Sequence, residues 1–143
     1  MTTIRKARKN DLPAVMQLLA ESSLPVAGIE EHFDNFFVAE DAQNIIGAIG
    51  VEIYGDVGLL RSAAVRRDLQ RQGIGKQLYT TLIAYAKNKD IKKMMLLTTT
   101  AADYFSTKGF RRIDRSTVRG PVTSSVEFTG ACPATATCME MLL

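Results

Sequence analysis

A chain of 143 residues with 46% hydrophobic and 23% charged residues has the size and composition of one ordinary folded domain over 1–143, which excludes whole-chain disorder. Its net charge of +3 is spread along the chain, which suits small anionic ligands and argues against a dedicated nucleic-acid surface. No apolar run approaches the roughly 20 residues of a bilayer span, and the basic start leads into an amphipathic pattern, so the expectation is a cytoplasmic protein with no membrane partner.

In chain order, residues 2–7 read as a strand. Asn10, Asp11 and Pro13 then supply a helix start, with Val15, Leu18 and Leu19 on one face and an end near residues 22–25. A short helix is placed around 26–33. Residues 36–40 and 45–54 are β-rich runs joined by the turn residues Asp41-Ala42-Gln43-Asn44, and Gly55-Asp56 turns the chain into a third run over 57–65. From Ile74, the residues Leu78, Leu82, Ile83 and Ala86 recur at helical spacing. Met94 to Leu97 is a continuous apolar run, as in a strand buried on both faces, extended by Thr98 to Thr100. Residues 103–108 read as a helix stopped by Gly109, 110–114 as a strand, 122–128 as a helical turn and 136–142 as a closing strand. The apolar end, Cys138 to Leu143, is a candidate for pairing with a second subunit in a homodimer.

The segment richest in chemistry is Gln70-Arg71-Gln72-Gly73-Ile74-Gly75-Lys76, between a strand and a helix. Glycines there let backbone N–H groups approach an anion, and the helix that follows points its unpaired first-turn N–H groups at the same place. A P-loop is excluded because the glycines are two apart and Gln77 stands where a hydroxyl is needed. The dinucleotide fingerprint fails at Leu78. The remaining pattern, Gln-x-x-Gly-x-Gly, resembles the coenzyme A diphosphate loop of the GNAT superfamily of N-acetyltransferases. Arg61-Ser62-Ala63-Ala64-Val65 resembles that family's fourth strand, and Ala101 to Phe110 its later helix ending in Gly-Phe.

The resemblance implies an α/β fold: a mixed, mostly antiparallel sheet of six or seven strands with flanking helices, splayed between the fourth and fifth strands. It further implies acetyl-CoA as cosubstrate, with no metal, and acetyl transfer to the amine of a small molecule such as an amino acid. A non-catalytic acyl-CoA-binding module of the same fold is the alternative. Carried onto this chain, cosubstrate contacts fall on Ala63, Ala64 and Val65 and on the backbone of Gln70, Arg71, Gln72, Gly73, Ile74, Gly75 and Lys76. A narrower match, on Glu52-x-Tyr54-Gly55-Asp56, Leu97 to Asp103, Phe128 and Cys132-Pro133, resembles the small N-acetyltransferases associated with bacterial arsenic-resistance operons.

Acetyl transfer to an amine calls for a proton acceptor and benefits from an acid at the departing thiolate. Many family members carry Tyr where this chain has Phe105, which has no proton to give; Tyr104, one residue earlier and about 100° around the helix, is the candidate acid, with Thr98 to Thr100 or water as other donors. Glu52, inside an apolar strand, is the candidate base; it either faces solvent or lines a cleft with a raised pKa. Arg61 is a candidate partner of Glu52 or of an acidic substrate group, and His32 a candidate substrate contact. Cys132 and Cys138 lie far from the single His, which leaves a zinc site without ligands, and both are expected as reduced thiols, Cys132 exposed and Cys138 pointing inward.

Overall fold

Period-two side-chain alternation organises the first half of the molecule into a meander. In the computed structural model, which describes residues 2–143, strands β1 (Thr2–Lys6), β2 (Phe36–Asp41), β3 (Asn44–Tyr54) and β4 (Val57–Val65) pair in that order, each antiparallel to the last. The β2–β3 turn is two residues long. Ala42 and Gln43 both take positive φ (50° and 69°), the backbone sense that matches the twist of a tight hairpin.

Alternation also assigns the two faces. Phe36 and Val38 point to one side, where Val15, Leu18 and Leu19 of α1 (Leu12–Glu21) and Ile29 of α2 (Ile29–His32) cover them. Phe37 and Ala39 point to the other, against Leu78, Leu82 and Ala86 of α3 (Ile74–Asn88). The apolar spacing of α3 is therefore a packing stripe, and truncating Leu82, which is fully buried, would cost about 2–5 kcal/mol.

After α3 the chain enters β5 (Lys93–Thr98), parallel to β4, then α4 (Ala102–Thr107), β6 (Arg111–Ile113) and β7 (Thr137–Leu142). The sheet has seven strands in the order β1-β2-β3-β4-β5-β7-β6. Strands β4 and β5 pair only where Val57, Gly58 and Leu59 meet Lys93, Met94 and Met95. Beyond Leu59 they diverge, so the far half of β4 lacks a partner on that side. This is the splay that the family resemblance implies.

Several expectations are corrected. The last strand is not a free edge, because β7 lies between β5 and β6 and its residues Cys138, Met139 and Glu140 are paired on both sides. Cys132 is 8% exposed rather than on the surface. Residues 122–128 do not form one helical turn: a 3-10 turn (Pro121–Ser124) and a π-type turn (Glu127–Ala131) fold this connection back over the sheet. No helix of the described residues is long and apolar enough to cross a membrane.

Candidate active site

The divergence of β4 and β5 opens a cleft of about 520 Å³, lined on the β4 side by Ala63, Ala64 and Val65. A bulge sets up that wall. Gly50 faces Arg61 and Ala48 faces Ala64, so Ile49 alone opposes both Ser62 and Ala63, and Ser62 takes a φ of 61°. The bulge turns Arg61 and Ser62 inward, at 2% and 7% exposure, and leaves Ala63 exposed on the cleft.

One end of the cleft is the loop before α3, contributed by Gln70, Arg71, Gly73, Gly75 and Lys76. Gln70 ties the loop to the sheet, its Nε2 donating to the Val65 carbonyl at 3.1 Å. Arg71 and Gly73 have φ of 67° and 84°, and a Cβ added at Gly73 would meet nothing within 4 Å, so Gly is there for conformation and not for space. The result is a concave run of N–H groups at the N-terminus of a 15-residue helix, with Arg71 and Lys76 beside it. Of the other loop residues, Gln72 is exposed while Ile74 turns its side chain into the core at 5% exposure.

The opposite wall comes from α4. Tyr104 and Phe105 both line the cleft, but Phe105 is 6% exposed in an edge-on stack with Phe110, whereas Tyr104 is 44% exposed. Partial burial raises the Tyr104 hydroxyl above the usual tyrosine range, so it is protonated at neutral pH. Tyr79 of α3 also lines the cleft, and its hydroxyl is pushed up to about 12, mainly by burial.

Glu52, Arg61 and His32 are brought together by the fold, but behind the bulge and not on the cleft. Glu52 is fully buried and accepts from Tyr54 Oη at 2.5 Å and from Arg61 Nη1 at 2.8 Å, with His32 Nε2 at 3.7 Å. Neither sequence alternative for Glu52 holds. Burial pushes its carboxyl up, yet hydrogen bonds from Ser125, Tyr54 and Arg61 and the charge of His32 outweigh it and hold the group below the usual carboxylate range. A carboxylate so satisfied is a poor proton acceptor. Arg61 is likewise engaged throughout: its Nε donates to Ser62 Oγ at 3.0 Å and its Nη2 to the Pro25 carbonyl at 3.3 Å.

Glu127 is the residue that sequence reasoning passed over. It is 3% exposed, with Oε2 3.4 Å from Arg61 Nε, and its carboxyl is pushed up to about 7 by burial and by the neighbouring Glu52, against the opposing charge of Arg61. The signal was available: Glu127 stands between Val126 and Phe128, as Glu52 stands between Val51 and Ile53.

Residues 5–114 match the family described as the acetyltransferase (GNAT) family. The chain belongs to that family. Acetyl-CoA is the cosubstrate of this family. An amino-acid acetyltransferase of Mycobacterium tuberculosis is 27% identical over 135 residues, covering 86% of this chain and 74% of the relative. An uncharacterized N-acetyltransferase of Chlorobaculum tepidum is 26% identical over 122 residues, 80% of this chain and 78% of the relative. The fold matches N-acetylglutamate synthase from Neisseria gonorrhoeae complexed with coenzyme A and N-acetyl-glutamate, with a TM-score of 0.84 at 21% identity. That match covers 100% of this chain but 35% of the synthase, so the chain spans about a third of that enzyme.

Proposed function

We propose that the chain transfers the acetyl group of acetyl-CoA directly to the amine of a small molecule, an amino acid or a close analogue. The observation that carries the reading is the gap between β4 and β5, closed at one end by the loop from Gln70 to Lys76. The loop and the α3 N-terminus hold the diphosphate, each favourable charge interaction there contributing about 0.3–1 kcal/mol. The pantetheine arm runs along the β4 backbone at Ala63, Ala64 and Val65, whose small or slender side chains leave room.

In the reaction the amine nitrogen bonds to the thioester carbonyl carbon, the C–S bond breaks, the amine gives up a proton to water and the thiolate takes one from a donor on the cleft. Tyr104, protonated and on the cleft, is the proposed donor to the thiolate. Glu52 is reassigned from base to anchor, holding Arg61, Tyr54 and His32 in place. The amino-acid relatives support an amino-acid acceptor. The arsenic-operon resemblance concerns a genetic setting and is compatible with such an acceptor.

The test is thiol release from acetyl-CoA across an amino-acid library. Turnover with at least one amino acid is expected, with Tyr104→Phe lowering kcat by the 10²- to 10⁴-fold typical of a lost general acid. Acetyl-CoA binding without thiol release for any amine would mark a non-catalytic binder.

A further inference from the structure

Two buried carboxylates share one buried guanidinium behind the β4 bulge. Arg61 lies between Glu52 at 2.8 Å and Glu127 at 3.4 Å, and the three side chains are almost wholly shielded from solvent. With both carboxylates ionised, the trio carries one negative charge too many for a buried site. His32 supplies positive charge only when protonated, and then beside Glu52 rather than Glu127.

The cluster is also where two covering segments meet. The turn after α1 reaches it through the Pro25 carbonyl, which accepts from Arg61. A Cβ added at Gly28 would stand 3.0 Å from Val126 and 3.5 Å from Arg61 Nη1, so the turn packs directly on residue 126 above the guanidinium. From the other side, Ser125 Oγ accepts from the Glu127 N–H at 3.2 Å, and the Cys132 N–H donates to the Glu127 carbonyl at 3.3 Å. Arg115 holds the outside of the same segment, donating to the carbonyls of Glu127, Phe128 and Pro133. The bulge residues Arg61 and Ser62 directly precede Ala63 on the cleft wall.

We propose that Glu127 is a proton-linked positioning residue: in its neutral form it seats the turn 22–28 and the segment 125–132 on Arg61 and so shapes the acceptor side of the cleft, and ionisation loosens that seat. The groups facing Glu127 are Arg61 from β4, Glu52 from β3, Ser125 and the Cys132 thiol from its own segment, and Arg115 at its backbone carbonyl, while Tyr54 and His32 stand on the far side of Glu52. Arg61 alone among them is a cation in direct ion-pair reach of the carboxylate, and Glu52 already holds it. The role of acceptor positioning rests on the acetyltransferase reading; the proton-linked closure does not.

Wild-type chain and Glu127→Gln, a neutral mimic of the protonated form, are compared from pH 5.5 to 8.5. The ratio of wild-type to variant KM for the acceptor cancels the acceptor amine's own titration. It should stay near one below pH 6 and rise several-fold through a midpoint near 7. Glu127→Asp should keep the inflection, at a displaced midpoint. Hydrogen exchange at 22–28 and 125–132, corrected for intrinsic rates, should show protection lost above pH 7 in the wild type and retained in Glu127→Gln. Acetyl-CoA binding should be equal in all three. A KM ratio flat across the range, or exchange identical in wild type and Glu127→Gln on both sides of pH 7, overturns the proposal. If no amino acid is acetylated, the functional reading fails separately and the exchange experiment still decides the closure.

Discussion

At the scale of single residues, two buried glutamates beside one arginine titrate in opposite directions. Glu52 is held below the ordinary range, so its contribution to stability is present above the unfolded pKa and lost as pH falls through its folded value. Glu127, raised to about 7, binds a proton in the folded state that the unfolded chain has already released, so stability falls as pH rises from about 4.5 to 7. The full effect amounts to about 3 kcal/mol at 1.36 kcal/mol per pKa unit. Urea unfolding should therefore show Glu127→Gln more stable than wild type at pH 8 and nearly matched at pH 5; equal stabilities at pH 8 would contradict the burial argument. Glu52→Gln should do the reverse at pH 7, costing about 3–5 kcal/mol because it removes the closest carboxylate from a buried Arg61.

At the scale of elements, the loop before α3 works by backbone conformation, so it is vulnerable where side chains are absent. Gly73→Ala places a Cβ at φ 84° in open space. The variant should fold with a modest loss of stability, yet lose most of the stabilisation conferred by acetyl-CoA, as read by thermal melts with and without the ligand. The loop, the three β-runs of the meander and the stripe of α3 were legible in the sequence because each is written locally, in glycine spacing or in periods of two and 3.6. The bulge at Ser62 was not. It depends on the register between β3 and β4, and a one-residue slip there exchanges the residues facing the core with those facing the cleft. For the same reason Glu52 could be assigned to a strand, and Arg61 on the next strand named as its candidate partner, but its burial could not be read: Ser125 and His32, which complete its surroundings, arrive from distant parts of the chain.

At the scale of the whole molecule, the sheet joins two differently built halves, the meander β1 to β4 and the later group β5, β7 and β6. The cleft is walled by β3 and β4 of the first half and by α3 and α4, the helices on either side of β5 in the chain. Acetyl-CoA at 100 times its dissociation constant should stabilise the folded chain by about 2.7 kcal/mol. For a protein of this size the melting temperature should then rise by roughly 5–10 °C, and no rise would remove the cosubstrate from the account. The fold class was readable at this scale because the order of elements follows a known family arrangement. The connection between β6 and β7, which carries Glu127, was not, because its turns have no periodicity to read.

The short pairing of β4 with β5 has a mechanical consequence. Among the described residues, three residue pairs form the strand-to-strand seam between the halves, a short line of pairing in an otherwise continuous layer. On the proposed reading, a pantetheine arm laid along Ala63 to Val65 would take the place of a missing strand, and the layer would be complete only while cosubstrate or product occupied it. Kinetically, the acceptor then meets a finished surface only after acetyl-CoA has bound, which gives an ordered addition that inhibition patterns with free coenzyme A would expose.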